Sequence, residues 1–273
     1  METKELQKEK LNKRITELDL FRGIAVLLMI FDHIMYDLCG FISIFFPDFY
    51  GTPVYNLALE YWFWDVRICV RYFVIFIFLG LTGISCAFSK SNLKRGLKLM
   101  GVALFLTVVT FFIGLVMNDM DGMLIIFGVL HMIAFTIILI SLIEMLTKNK
   151  WVYLVIGVLL VILGLIISNP VATPGGSFSK GFFKAFFEAF IGKALVGMDC
   201  FAFPFYGGQI FIGVFLGKHL YPERKPILFK NGYKNNFLTF VGRHALIVYV
   251  AHQVIVPVVL GIILLIFGFQ ISF

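Results

Sequence analysis

The chain has 273 residues, of which 60% are hydrophobic and only 14% charged. A soluble domain carries about 25% charged and 45–50% apolar residues, so one water-soluble core cannot hide this much Phe, Ile, Leu and Val. The net charge of +7 lies in short clusters between apolar runs, a pattern of membrane topology, and no basic domain stands free to dock nucleic acid.

The first apolar run lasts beyond 20 residues, carries Asp32, His33 and Asp37, and lacks a small-residue cleavage site. We therefore expect a retained span rather than a secretory signal. A span needs about 20 apolar residues to cross roughly 30 Å of hydrocarbon. Seven segments qualify: 20–43, 69–88, 97–117, 122–146, 151–168, 201–217 and 240–268. The expected fold is an all-α polytopic membrane helix bundle, with a segment 1–19 ahead of a single transmembrane domain over 20–273.

Alternating the loops puts seventeen of the twenty-three Lys and Arg residues on one side, from Lys4 and Arg14 through Lys94, Arg95 and Lys150 to Lys218, Lys230, Lys234 and Arg243. The other side receives Arg67, Arg71, Lys180, Lys184 and Lys193. The positive-inside rule then predicts a cytoplasmic N-terminus and an external C-terminus. This is the pattern of a multi-pass protein of the plasma membrane.

Two expected external loops are long. Residues 44–68 carry Tyr61, Trp62, Phe63 and Trp64, a run suited to the lipid–water boundary. Residues 169–200 open on a turn-rich stretch, Asn169-Pro170 to Pro174-Gly175-Gly176. Phe182, Phe183, Phe186, Phe187 and Phe190 follow at the spacing of one helix face, predicting an interfacial helix. Gly213 and Gly217, four apart, suit close helix packing. Cys39, Cys69, Cys86 and Cys200 have no metal-ligand spacing, and no metal is expected; one disulfide among Cys39, Cys69 and Cys200 stays open beside packed or lipid-facing thiols.

Chemistry concentrates on the first span. At 100° per residue, Arg22 and His33 are eleven steps apart and fall within roughly 20° of one another. Asp19 and Asp37 both fall near 60° from Arg22, whereas Asp32 points elsewhere. Each ionisable group deep in hydrocarbon costs at least about 2.5–3.5 kcal/mol, and packing alone needs only Ser or Gly. A purely structural role would leave this stripe unexplained. His33 lies about 16 Å above Arg22 at 1.5 Å per residue. His131 in the fourth span and His252 in the seventh reach intramembrane depth as well, where a lone histidine is as often a packed hydrogen-bonding group as a catalyst. Arg71 and Asp199 sit at external span ends, as interfacial anchors or as parts of a mouth.

Leu18-Asp19-x-x-Arg22-Gly23-x-Ala25 followed by His33 resembles the opening span of acyltransferase family 3, in which an Arg and a His ten residues apart are functional. Over the whole length the chain is similar to the catalytic domain of heparan-α-glucosaminide N-acetyltransferase and its short bacterial relatives. Arg71-Tyr-Phe through Gly80-Leu-Thr-Gly83, Lys94-Arg95-Gly96, Phe127-Gly128-Val129-Leu130-His131, Asp199-Cys-Phe-Ala-Phe-Pro204 and Gly242-Arg243-His244 through His252-Gln253 carry that resemblance. The eukaryotic enzyme has more spans, Asn where His33 stands, and its catalytic His in the following loop. Here that loop contains no His.

The resemblance implies a membrane acyltransferase, moving an acetyl group from cytoplasmic acetyl-CoA to a sugar, glycan or lipid on the outer side. Arg22, with Asp19, Arg95 and Arg243, would hold CoA phosphates at the inner end, since guanidinium binds phosphate bidentately. His33 would be the general base, oriented by Asp37, with His131 and His252 completing the catalytic group and Arg71 and Asp199 receiving substrate. The competing class is a transporter or channel using the histidines as a proton or substrate site. No internal repeat supports it. Self-association into a homo-oligomer is left open.

Overall fold

The structure, a computed structural model, describes residues 15–167, 177–229 and 236–271, with the side chain of Lys180 excepted. The N-terminal cluster Lys4 to Arg14, the turn-rich 169–176 and Lys230 and Lys234 lie outside the described residues.

All of the regular structure is helical, and an isolated bridge between Phe127 and Cys200 is the β-type pairing seen among the described residues. Helix α1 is Thr16–Tyr36 and continues through a π-turn, Asp37–Phe41, to Phe45. Then come α2 (Pro53–Phe63), α3 (Asp65–Ala87), α4 (Asn92–Val116), α5 (Val129–Leu146), α6 (Lys150–Ile167), α7 (Phe182–Ile191), α8 (Gly208–Leu220), α9 (Phe237–Arg243) and α10 (Ala245–Ile266).

Among the described residues six helices are long and apolar enough to cross a membrane: Thr16–Phe45, α3, α4, α5, α6 and α10. The chain is a polytopic α-helical membrane protein. Phe105, Phe112, Ile166, Val254 and Ile266 are exposed on these helices, a surface that water would not tolerate and lipid requires. The segment expected as the sixth of seven spans is a π-turn, Phe203–Gly207, running into the 13-residue α8. It is not among the six, because Pro204, Gln209, Lys218 and His219 interrupt its apolar run.

Helix boundaries differ from expectation where local chemistry intervenes. Helix α1 starts at Thr16 after extended Ile15, so Glu17 and Asp19 are already helical. The fourth span begins at Val129 rather than near 122, because the Asp199 carboxylate accepts the Val129 N–H at 2.8 Å and fixes the first turn there. The last span breaks at His244 into α9 and α10. Asn236 and Thr239 form a capping box that starts α9. The Phe-rich helix expected over 182–190 is α7, ended by left-handed Gly192.

The chain divides into two compact units, Met1–Phe78 with Arg224–Phe273, and Leu79–Glu223. In the first, α1 packs chiefly on α9 and also on α10 and α2. The α1–α9 contact is backbone on backbone: a Cβ on Gly23 would strike Leu238 O, and one on Gly242 would strike Asp19 O. Val26, Val241 and Ala245 fill the adjoining core, and Ile42, Phe46, Phe49, Tyr55 and Leu264 form another toward the other end.

In the second unit α4 packs on α5, and α6 on α8. The expected glycine packing is present: Gly213 meets Gly80, and Gly217 meets Ile84 and Ala87, on α3. Phe186 and Phe190 of α7 turn inward onto Phe127, Phe135 and Phe203, while Phe182, Phe183 and Phe187 stay exposed. Helix α7 therefore shows an apolar surface on both sides, as an interfacial helix packed on a bundle should.

Candidate active site

In the first unit, His33 sits on α1 and is half-buried. Its Nδ1 lies 2.7 Å from Met29 O, one turn back. A carbonyl oxygen only accepts, so Nδ1 carries the proton and Nε2 of the neutral ring holds the free lone pair. That nitrogen is the one available to abstract a proton or attack a carbonyl carbon. Asp37 lies one turn on, half-buried at the start of the π-turn, its backbone N–H shared between His33 O and Ile34 O. The orientation expected from the Asp37 carboxylate comes from Met29 instead: among the described residues no hydrogen bond joins Asp37 to the ring.

His252 comes from α10, and its ring stands edge-on to that of His33, with centroids 4.9 Å apart at 69°. It is only 5% exposed, and neither of its nitrogens has a hydrogen-bond partner among the described residues. The Val248 and Tyr249 carbonyls lie nearby on the same helix, but neither completes a bond to the ring. Two of the three expected histidines are thus brought together.

Asp32, which helix arithmetic turns away from the stripe, is committed elsewhere. Arg67 clasps it through Nε at 2.7 Å and Nη2 at 2.8 Å, Tyr61 donates to it at 3.2 Å, and Arg67 Nη1 donates to Trp62 O. The guanidinium also stacks on the Trp62 ring, 3.6 Å from its centroid. Arg67 is 6% exposed, so this is a desolvated, bidentate pair. It fastens α2 and the start of α3 to α1 one residue from His33. Burial, and then the neighbouring Asp32 carboxylate, push the Tyr61 phenol up. The sequence reading passed over this pair, although a mid-span Asp followed by an Arg opening the next span was the available signal.

At the opposite end of α1, Arg22 Nη1 donates to Asp19 at 3.0 Å and to Gly242 O at 3.4 Å. Arg243 next to it spends Nε and Nη2 on Thr239. Two expected phosphate ligands, Arg22 and Arg243, therefore share one end of the unit, each tied at its base. Glu17 is fully buried there, and its carboxylate accepts the N–H groups of Ile227, Leu228 and Phe229 at 2.9, 2.8 and 3.1 Å. Arg71 is exposed on α3, in no ion pair among the described residues.

The remaining expected site residues belong to the second unit. His131 is 4% exposed, with Nε2 3.0 Å from Thr107 Oγ1. That hydroxyl donates to Ile125 O at 2.8 Å, so His131 donates to it and is a satisfied core histidine. Asp199 is spent as the cap of α5. Arg95 Nη1 approaches Cys86 Sγ at 3.7 Å. Nearby in that unit Asn92 bonds Glu144, and Glu144 pairs with Lys218. All four cysteines are free thiols, and burial pushes Cys200 up to about 11. Among the described residues no three His, Cys, Asp or Glu side chains gather as a metal site.

No curated protein and no solved structure matches the chain. A family model does, the one described as heparan-alpha-glucosaminide N-acetyltransferase, catalytic, over residues 14–254. Those residues span α1 through His252, so they include each histidine and arginine described above. With a polytopic helical bundle and that match over most of its length, the chain belongs to the heparan-α-glucosaminide N-acetyltransferase catalytic family and is a membrane acetyltransferase.

Proposed function

We propose that the protein carries an acetyl group from cytoplasmic acetyl-CoA to an acceptor on the outer side of the plasma membrane, with neutral His33 as general base. The observation that supports this most is the His33 tautomer: with Nδ1–H engaged by Met29 O, Nε2 is the free base nitrogen of a ring held in place. Arg22 and Arg243 at the inner end of α1 supply the cationic surface for the CoA phosphates. Arg22 lies about 16 Å below His33 by the rise of the helix they share, a span suited to a pantetheine arm. The lysine and arginine bias across the loops supports the inward N-terminus and hence the direction of transfer.

The family is named for acetylation of a glucosaminide, which supports a sugar or glycan within the sugar, glycan or lipid class proposed as acceptor. At His33 the acceptor O–H or N–H gives up its proton to Nε2 while its lone pair attacks the acetyl carbonyl carbon. The C–S bond then breaks with its electron pair on sulfur, which recovers the proton as free CoA. Asp37, one turn away, supplies a negative charge close to the imidazolium that forms between those steps.

Purified protein incubated with [14C]acetyl-CoA and glucosamine should release CoA and transfer label to the sugar. Labelled sugar with stoichiometric CoA supports the enzyme. Glucosamine or proton flux in proteoliposomes without acetyl-CoA, and no thiol release with it, would instead support a transporter.

A further inference from the structure

An unprotonated imidazole buried in an apolar helix without a partner is expensive, since each unmade buried hydrogen bond costs about 1–3 kcal/mol. His252 leaves two such atoms unmade, and it does so against the ring of His33. Among the described residues no hydrogen bond reaches His33 Nε2 either. Centroids at 4.9 Å are compatible with a ring-to-ring hydrogen bond of about 2.9 Å after rotation of the His252 ring, His33 keeping its bond to Met29 O. The titratable groups around the pair are Tyr249 on α10 and Asp37 on the π-turn that extends α1.

We propose that His33 and His252 form a two-imidazole relay in which half-buried His33 meets the acceptor and buried His252 is its positioning residue. This rests on the acetyl-transfer reading. In the resting state His33 Nε2 is unprotonated. Once it has taken the acceptor's proton, the His252 ring turns its lone pair to the new Nε2–H and holds that proton away from the reacting centre while the new acetyl bond forms. When the C–S bond breaks and its electron pair leaves on sulfur, the proton returns through His33 to the sulfur, so no proton is gained or lost. The pairing explains why α10 keeps a histidine where a leucine would pack at lower cost.

The test uses the full-length protein in nanodiscs, with 15N-labelled histidine, and needs no substrate. Two coupled imidazoles titrate in shared steps rather than separately. We expect the His33 and His252 ring nitrogens to show the same two-step titration, and His252→Ala to convert the His33 curve to one step. Independent single steps in the unaltered protein, or a His33 curve unchanged by His252→Ala, overturn the relay. A functional arm follows [14C]acetyl-CoA cleavage. His252→Ala should lower it by about 10²-fold, the lower range of proton-transfer catalysis. Free imidazole should recover at least about tenfold of that in His252→Ala and nothing in His252→Phe, where the ring fills the space. A monodisperse His252→Ala protein cleaving at the full rate overturns the relay alone, whereas a fully active His33→Ala protein overturns the base reading.

Discussion

Asp32 and Arg67 form a bidentate pair in the first unit, with side chains 18% and 5% exposed. Removing one partner of a buried pair leaves the other charge uncompensated, at a cost of about 3–5 kcal/mol. We expect Asp32→Ala or Arg67→Ala to lower the melting temperature sharply in detergent. The double variant should lose less than the sum of the two, and strict additivity in that cycle would contradict a direct pair. Glu17 gives a second residue-level prediction. Its three charge-assisted bonds hold residues 227–229 against α1, next to Arg224 and Lys225. Glu17→Gln should expose that segment, so that limited trypsin cuts at Arg224 or Lys225 faster than in the unaltered protein. Equal cleavage rates would mean the three bonds do not hold the segment.

At the scale of elements, α1 and α9 meet through glycine, and the contact leaves no room for a methyl group on either side. Gly242→Ala should force the helices apart and lower both stability and acetyl transfer, because Gly242 O is also a partner of Arg22. The same substitution at Gly80 finds open space in its own surroundings and should cost far less. A pH effect belongs to the link between the turn at 119–123 and residues 177–178. The Ser177 hydroxyl, then the Phe178 N–H, bond Asp121 and hold its carboxyl below the ordinary range. The folded value is the lowered one, so this link is complete above the unfolded value of about 3.9 and is lost as pH falls through the folded value. The protection of the Phe178 amide against hydrogen exchange, relative to its intrinsic rate, should fall in acid, and Ser177→Ala should bring that fall to higher pH.

Much of this level was legible in the sequence. Apolar runs with short charged breaks gave the long helices, and the phenylalanine spacing gave α7. The boundaries were not, because they depend on partners distant in the chain: Asp199 starts α5, seventy residues from Val129. The meeting of His33 with His252 required knowing that α10 packs on α1, and periodicity within a span says nothing of its neighbours. For the same reason Asp32 was set aside on helix arithmetic, although its partner Arg67 lay across a loop.

At the scale of the whole molecule, composition and the family match agree on a membrane acetyltransferase. Sequence spacing placed Arg22 and His33 on one face, and the structure gives them different partners. Arg22 is tied to Asp19 and Gly242 where α1 and α9 cross, while His33 keeps a free nitrogen. The most direct test of His33 as general base compares [14C]acetyl-CoA cleavage by the unaltered protein with that by folded, monodisperse His33→Ala. Loss of a general base predicts a fall of about 10²–10⁴-fold with the melting temperature little changed. Full-rate cleavage by His33→Ala would rule out His33 as the base.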